Sequence, residues 1–176
     1  MKQPKLPEVW LRGAVEDIPP LLQPVAHALL QAKEEVGSIM TDFPPGLLWY
    51  RPAGLASAGF HLRHLTGVLD RLFTYAEGHL LDEGQLNYLK SEGNESADAN
   101  ISNLVDRFQM QVSKAVDSLK TKDPGALYQF RGVGRAQLPS TTAGLLFHAA
   151  EHTMRHVGQL LVTARIMKAK AEGKEI

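Results

Sequence analysis

The sequence predicts an all-α protein, a four-helix bundle, and three observations carry that prediction. Four long stretches repeat apolar residues at spacings of three and four, the period of a helix with one buried face. The connections between them are ten or more residues long and mostly hold proline and glycine. No stretch shows clean apolar–polar alternation flanked by hairpin turns, so no strand is expected. At 176 residues the chain suits one domain with a core that needs no staples.

Residues 1–19 carry several prolines and read as an N-terminal arm on the surface. The bundle itself is expected over 20–170. Its first helix runs from about Pro20 to Asp42: Pro24 is compatible with a first turn, and Val25, Leu29, Val36 and Ile39 form the apolar stripe. The loop FPPGLLWYRPAG (43–54) follows, with Leu47, Leu48 and Trp49 packing it onto the bundle. Ser57 reads as the N-cap of the second helix, and Gly78 as its stop. LDEGQLNYLKSEG (81–93) predicts a short extra helix and a turn. The third helix spans about Ser96 to Lys122, with Ile101, Leu104, Phe108, Val112 and Leu119 on one face. Residues 123–139 form a crossover loop, after which Ser140 caps a fourth helix from about Thr141 to Lys170. That helix is on the order of 45 Å long. Residues 171–176 are expected to fray.

Composition narrows the function. Apolar residues make up 44%, charged residues 22%, and the net charge is zero, as in an ordinary globular protein. The balanced charge offers nucleic acid no basic footprint. No stretch approaches the roughly 18 apolar residues of a membrane span, and MKQPKLPEVW lacks the apolar region of a signal peptide. The expectation is a cytoplasmic protein with neither nucleic-acid nor membrane partners. The chain has no cysteine, which excludes disulfides, thiolate ligands and a cysteine nucleophile. A metal ion would have to be held by histidine and carboxylate, and thiol chemistry would need a thiol from outside.

Five of the seven histidines fall in two clusters, FHLRHL (60–65) and FHAAEHTMRHVGQ (147–159). His148, His152 and His156 are spaced four apart on the last helix, where neighbouring Cβ atoms lie ~5–6 Å apart. Two such imidazoles can close on one ion, but the third ligand must come from another helix, and His61 and His64 are available. At about 100° per residue, His152 and His156 turn toward the side of Leu145, Ala149 and Leu160, whereas His148 lies near the polar edge of Glu151 and Arg155. His148 is thus better placed at the lip of a site. Isolated His27 and His79 read as ordinary polar residues. The glutamate of HExxH is replaced by Thr153, so a zinc protease is disfavoured.

These residues resemble the DinB/YfiT superfamily of metal-binding four-helix bundles. The match rests on Ser57 and His64 in SAGFHLRHLTGVLDRL, on His152, His156, Gly158 and Gln159 as H-x-x-x-H-x-G-Q, and on the Trp49-Tyr50-Arg51-Pro52 loop. It covers roughly residues 20–165. The resemblance implies up-down-down-up topology and one divalent transition metal ion, zinc or nickel, bound by His64, His152 and His156. Helical amphipathicity favours His61 over His64, since His61 sits nearer the stripe of Leu65, Val68 and Leu72; the motif favours His64.

Three neutral ligands leave a coordination position open, as in catalytic rather than closed structural sites. The resemblance makes a thiol-dependent S-transferase the leading function, with a small-molecule substrate, a low-molecular-weight thiol and compatibility with a homodimer. The alternatives are a metal-dependent hydrolase and a non-enzymatic metal-binding or stress-response bundle. No catalytic residue is assigned. Arg131 and Arg135 in the RGVGR loop read as a solvated turn in preference to an anion site, and Glu151 as a surface residue.

Overall fold

The computed structural model describes residues 6–96 and 99–174. The first residues of the expected arm, two residues near the expected start of the third helix, and the last two of the expected frayed end lie outside the described residues. Among the described residues the regular structure is helical except for one small hairpin. Its elements are α1 (Gln23–Met40), α2 (Ala58–Ala76), α3 (Glu83–Ser91), α4 (Ile101–Lys120), β1 (Phe130–Val133), β2 (Leu138–Thr141) and α5 (Thr142–Ala171).

Helices α1 and α2 each pack on both α4 and α5, so α1 lies diagonally across from α2. Side-chain pairs give the directions. His61 meets His156 while His64 meets His152, so α2 and α5 are antiparallel. Lys33 bonds Ser113 and Gly37 lies beside Gln109, so α1 and α4 are antiparallel as well. Asp70 reaches Gln111 and Glu77 reaches Ser118, so α2 and α4 run parallel. The bundle is therefore up-down-down-up, with α3 as the short extra helix after the second. The predicted stripes face its core: Leu29 and Val36 from α1, and Phe108, Val112 and Leu119 from α4, are fully buried.

The helix ends follow their local chemistry. Ser57 Oγ accepts from the Phe60 amide at 3.1 Å, capping α2, and Gly78 beyond its end takes φ +82°, a left-handed stop. Asp82 and Gln85 form a capping box on α3, and Gln85 Nε2 donates to Asp70 Oδ2 and Thr74 Oγ1, tying α3 to α2. The third bundle helix, α4, starts later than expected, at Ile101, where the Asn100 side chain accepts from the Asn103 amide and caps it. Before α1, Val9 and Ile18 are buried, and the Arg12 guanidinium forks onto Glu34 at 2.6 and 2.8 Å. Leu48 is buried and Trp49 packs against the core from the loop before α2.

Two expectations for the crossover need correction. Residues 130–141 form an antiparallel hairpin, Phe130 opposite Thr141 and Val133 opposite Leu138, where no strand was expected. Four-residue strands that contain Gly132 and Pro139 are too short to show alternation. The hairpin also moves the cap of α5: Ser140 is in β2, and Thr141 Oγ1 accepts from the Gly144 amide at 3.0 Å. No helix among the described residues is long and apolar enough to cross a membrane.

Candidate metal centre

Antiparallel packing of α2 on α5 brings four imidazoles together. His61 and His64 come from the first turns of α2, and His152 and His156 from the middle of α5. One ring nitrogen each from His64, His152 and His156 can be chosen so that all three lie within 4.8 Å of one another. Their ring centroids are 4.3 Å apart for His64 and His156, 4.7 Å for His152 and His156, and 5.3 Å for His64 and His152. His64 Nε2 stands 3.0 Å from His152 Nε2. Two ligands at ~2.1 Å from one ion adopt that separation when the angle between them is roughly 90°.

The rings are held from outside by partners that the sequence reading did not find. Glu92, at the C-terminal end of α3, places Oε2 2.8 Å from His64 Nδ1. A carboxylate there puts the hydrogen on Nδ1 and leaves a bare lone pair on Nε2, facing the cluster. Glu92 is only 3% exposed, and its Oε1 accepts from Arg71 Nη1 at 2.6 Å. The strand of chain carrying it is fixed by Arg63, whose Nη1 donates to the carbonyls of Ser91 and Asn94 at 2.8 Å while its guanidinium lies 5.3 Å over the Trp49 ring. The short extra helix is thus the bracket that presents Glu92. Nothing in its spacing marks Glu92, because the pairing joins residues 28 positions apart.

Gly67 makes room for this bracket. A Cβ there would stand 2.7 Å from Arg71 Nη1 and 2.8 Å from the Tyr88 ring, and would overlap Glu92 Oε1. Arg71 and Glu92 are buried and paired with each other, and half-buried Tyr88 is tied by its hydroxyl to the Arg63 carbonyl, so they cannot step aside cheaply. Gly67→Ala is expected to lower stability by about 1–3 kcal/mol despite alanine's better helix propensity. A urea midpoint at or above that of the wild type would contradict this packing.

His156 is held differently. Its Nδ1 lies 3.1 Å from His61 Nδ1, which leaves its Nε2 for the cluster. His61 is 4% exposed, as helical amphipathicity expects, but the three-ring group is formed by His64, with His61 behind His156. His152 Nδ1 is buried with no hydrogen-bond partner among the described residues. That ring is therefore not held in place by a hydrogen bond at Nδ1. His148 is half exposed and bonds Glu151 through Nδ1 at 2.7 Å; Glu151 in turn pairs with Arg155. Both sit at the lip. His27 bonds the Gly13 carbonyl, and His79 is exposed.

Arg131 is far from the cluster. Its Nε donates to the Ala76 carbonyl at 2.8 Å and its Nη2 to Gln129, so it clips the hairpin to the end of α2. Ala76 is about 18 Å along the helix axis from His64.

The electrostatics suit a cation of the metal type. Burial, and then the charge of His64, push the His61 pKa down to about 4. Burial, followed by His64, His152 and His61, pushes His156 down to about 3, and burial lowers His152 too. These rings are neutral near pH 7, the form that donates a lone pair to a metal. The same shifts fix a pH dependence for the metal-free protein. On unfolding, the released imidazoles take up protons below their ordinary value of 6.5, protons that the folded chain accepts only near 4 for His61 and 3 for His156. The stabilising contribution is present above pH 6.5 and is lost as pH falls toward those values. Metal-free protein is expected to melt at a lower temperature at pH 5 than at pH 7, and His61→Phe should shrink the difference. Equal melting temperatures at both values would count against it.

The three imidazoles and the buried carboxylate behind one of them together can accommodate a metal ion. A family profile described as the DinB superfamily matches residues 11–160, which include all four clustered histidines and Glu92. No curated protein matches the chain. The profile spans most of the sequence and every element from α1 to the middle of α5, and the chain belongs to the DinB superfamily.

Proposed function

We propose that His64, His152 and His156 bind one divalent transition metal ion, zinc or nickel, and that the protein is a thiol-dependent S-transferase. The single observation that carries this reading is the convergence of three ring nitrogens within 4.8 Å from two facing helices. Three neutral donors cancel none of the ion's charge, so when bound the metal would lower the pKa of a thiol or water in its remaining position. The chain's own residues do the rest. Glu92 fixes the tautomer of His64, Arg71 holds Glu92, and His61 orients His156. The chain has no cysteine, so the thiol arrives as a small cosubstrate.

The test is protein purified without a chelate column, loaded with zinc or nickel and offered low-molecular-weight thiols with electrophilic acceptors. The expected result is one ion per chain and consumption of thiol that stops when the metal is removed. Metal bound at that ratio with no turnover across the array would favour a non-enzymatic metal-binding bundle.

A further inference from the structure

Beside the histidine cluster, a cavity of about 520 Å³ opens between the segment before α2 and the outer face of α5. Its walls include Leu55, Ala56 and Val162, with His61, Arg155 and Gln159 among its polar groups. This is the size and make-up of a small-molecule site, mostly apolar with a few polar groups. His61 belongs to both places: its Nδ1 faces His156, and the same ring lines the cavity, leaving Nε2 as the nitrogen available to an occupant.

Gly158 is the informative residue. It sits in the interior of a 30-residue helix, where glycine is about 1 kcal/mol worse than alanine. Packing does not require it, because a Cβ there would meet nothing within 4 Å. It lines this cavity, so what its missing side chain leaves is space for something from outside the fold. Arg155 shapes what that is. Its Nη2 is engaged by both oxygens of Glu151, and among the described residues its other nitrogens are left for a second acceptor at the rim.

We propose that this cavity is the substrate chamber of the cluster and that it takes a small apolar molecule carrying one anionic, hydrogen-bond-accepting group. The apolar body rests against Leu55, Ala56 and Val162 over Gly158, and the acceptor faces Arg155 and Gln159. Its role as a substrate chamber rests on the metal-centre reading above; its capacity to bind such a molecule does not.

Anilinonaphthalene sulfonate, an apolar anion, is a suitable probe of the zinc-loaded full chain, followed by fluorescence. Gly158→Leu fills the space and is expected to weaken binding at least about tenfold, the effect of roughly 1.4 kcal/mol. Val162→Glu acts at an exposed position that cannot unfold the core, and should weaken binding by a similar factor. Trp10→Ser, in a separate apolar groove with Pro24 and Met154, should leave binding unchanged. In wild type the sulfonate should bind more tightly than neutral phenylnaphthylamine, and Arg155→Met should abolish that preference. Wild-type affinity in either Gly158→Leu or Val162→Glu overturns the chamber, and no preference for the anion overturns the ligand class. Zinc uptake, measured separately by dialysis, should be unchanged in both cavity variants. Absence of zinc uptake in the wild type would remove the metal reading while leaving the cavity's binding to be judged on the probe alone.

Discussion

Replacing His152 with alanine is expected to lower zinc or nickel affinity by more than about 100-fold, a larger loss than removal of an outer partner produces. The ring supplies one of three converging nitrogens, and two imidazoles alone make a weak, flexible site. Its Nδ1 has no partner among the described residues, so the substitution removes no hydrogen bond there. Burial, and then the charge of His64, oppose protonation of this ring, so the metal-free variant should lose less stability between pH 7 and pH 5 than the wild type does. The measurement is ion content after dialysis against a competing chelator, alongside helical circular dichroism. Retention of one ion per chain in His152→Ala would exclude it as a ligand. His148→Ala is the companion variant: that ring is half exposed, bonds Glu151, and forms with Glu151 and His152 a second, outer group that could hold an ion. Full retention of the ion in this variant therefore assigns it to the three histidines.

The second large effect falls on a residue that touches no candidate open position. Glu92→Gln preserves size but cannot serve both of its partners. With its oxygen toward Arg71, the amide NH₂ confronts the hydrogen on His64 Nδ1; with its oxygen toward His64, the NH₂ confronts the Arg71 guanidinium. The first arrangement drives the His64 hydrogen to Nε2 and blocks the lone pair that a metal would use. Metal affinity should fall about 10–100-fold, as for loss of other outer carboxylates. Glu92→Leu should cost more stability, about 3–5 kcal/mol, because it strands the buried Arg71 charge. A merely structural role would show the stability loss with unaltered affinity in the Gln variant, and chelator competition on that folded variant separates the two.

The two effects differ in how they could be found. His152 and His156 are legible because their geometry is local: four residues along one helix is one neighbouring position on its face. Trp49, Ser57 and Gly78 were legible for the same reason, each acting within its own turn or loop. Glu92 was not, because its position depends on a salt bridge to Arg71 and on Arg63 gripping the chain at Ser91 and Asn94. The hairpin escaped because Gly132 and Pro139 interrupt strands of four residues, and pairing at that length rests on neighbours rather than on propensity. His61 was a divided case. Amphipathicity correctly put it on the buried side of α2, but burial does not distinguish a ring in the three-nitrogen group from one that backs another ring.

By itself the sequence determined the helical class, the four amphipathic stripes, the extra helix, and the spacing that puts His152 beside His156. Those properties follow from helical period and end-capping, which act over a few residues. The motif already pointed to His64, but the place of His61 behind His156, the buried Glu92–Arg71 support and the cavity over Gly158 were decided only by the tertiary structure. Each depends on how α2, α3 and α5 approach one another, and a contact between distant segments is set by the packing of whole faces.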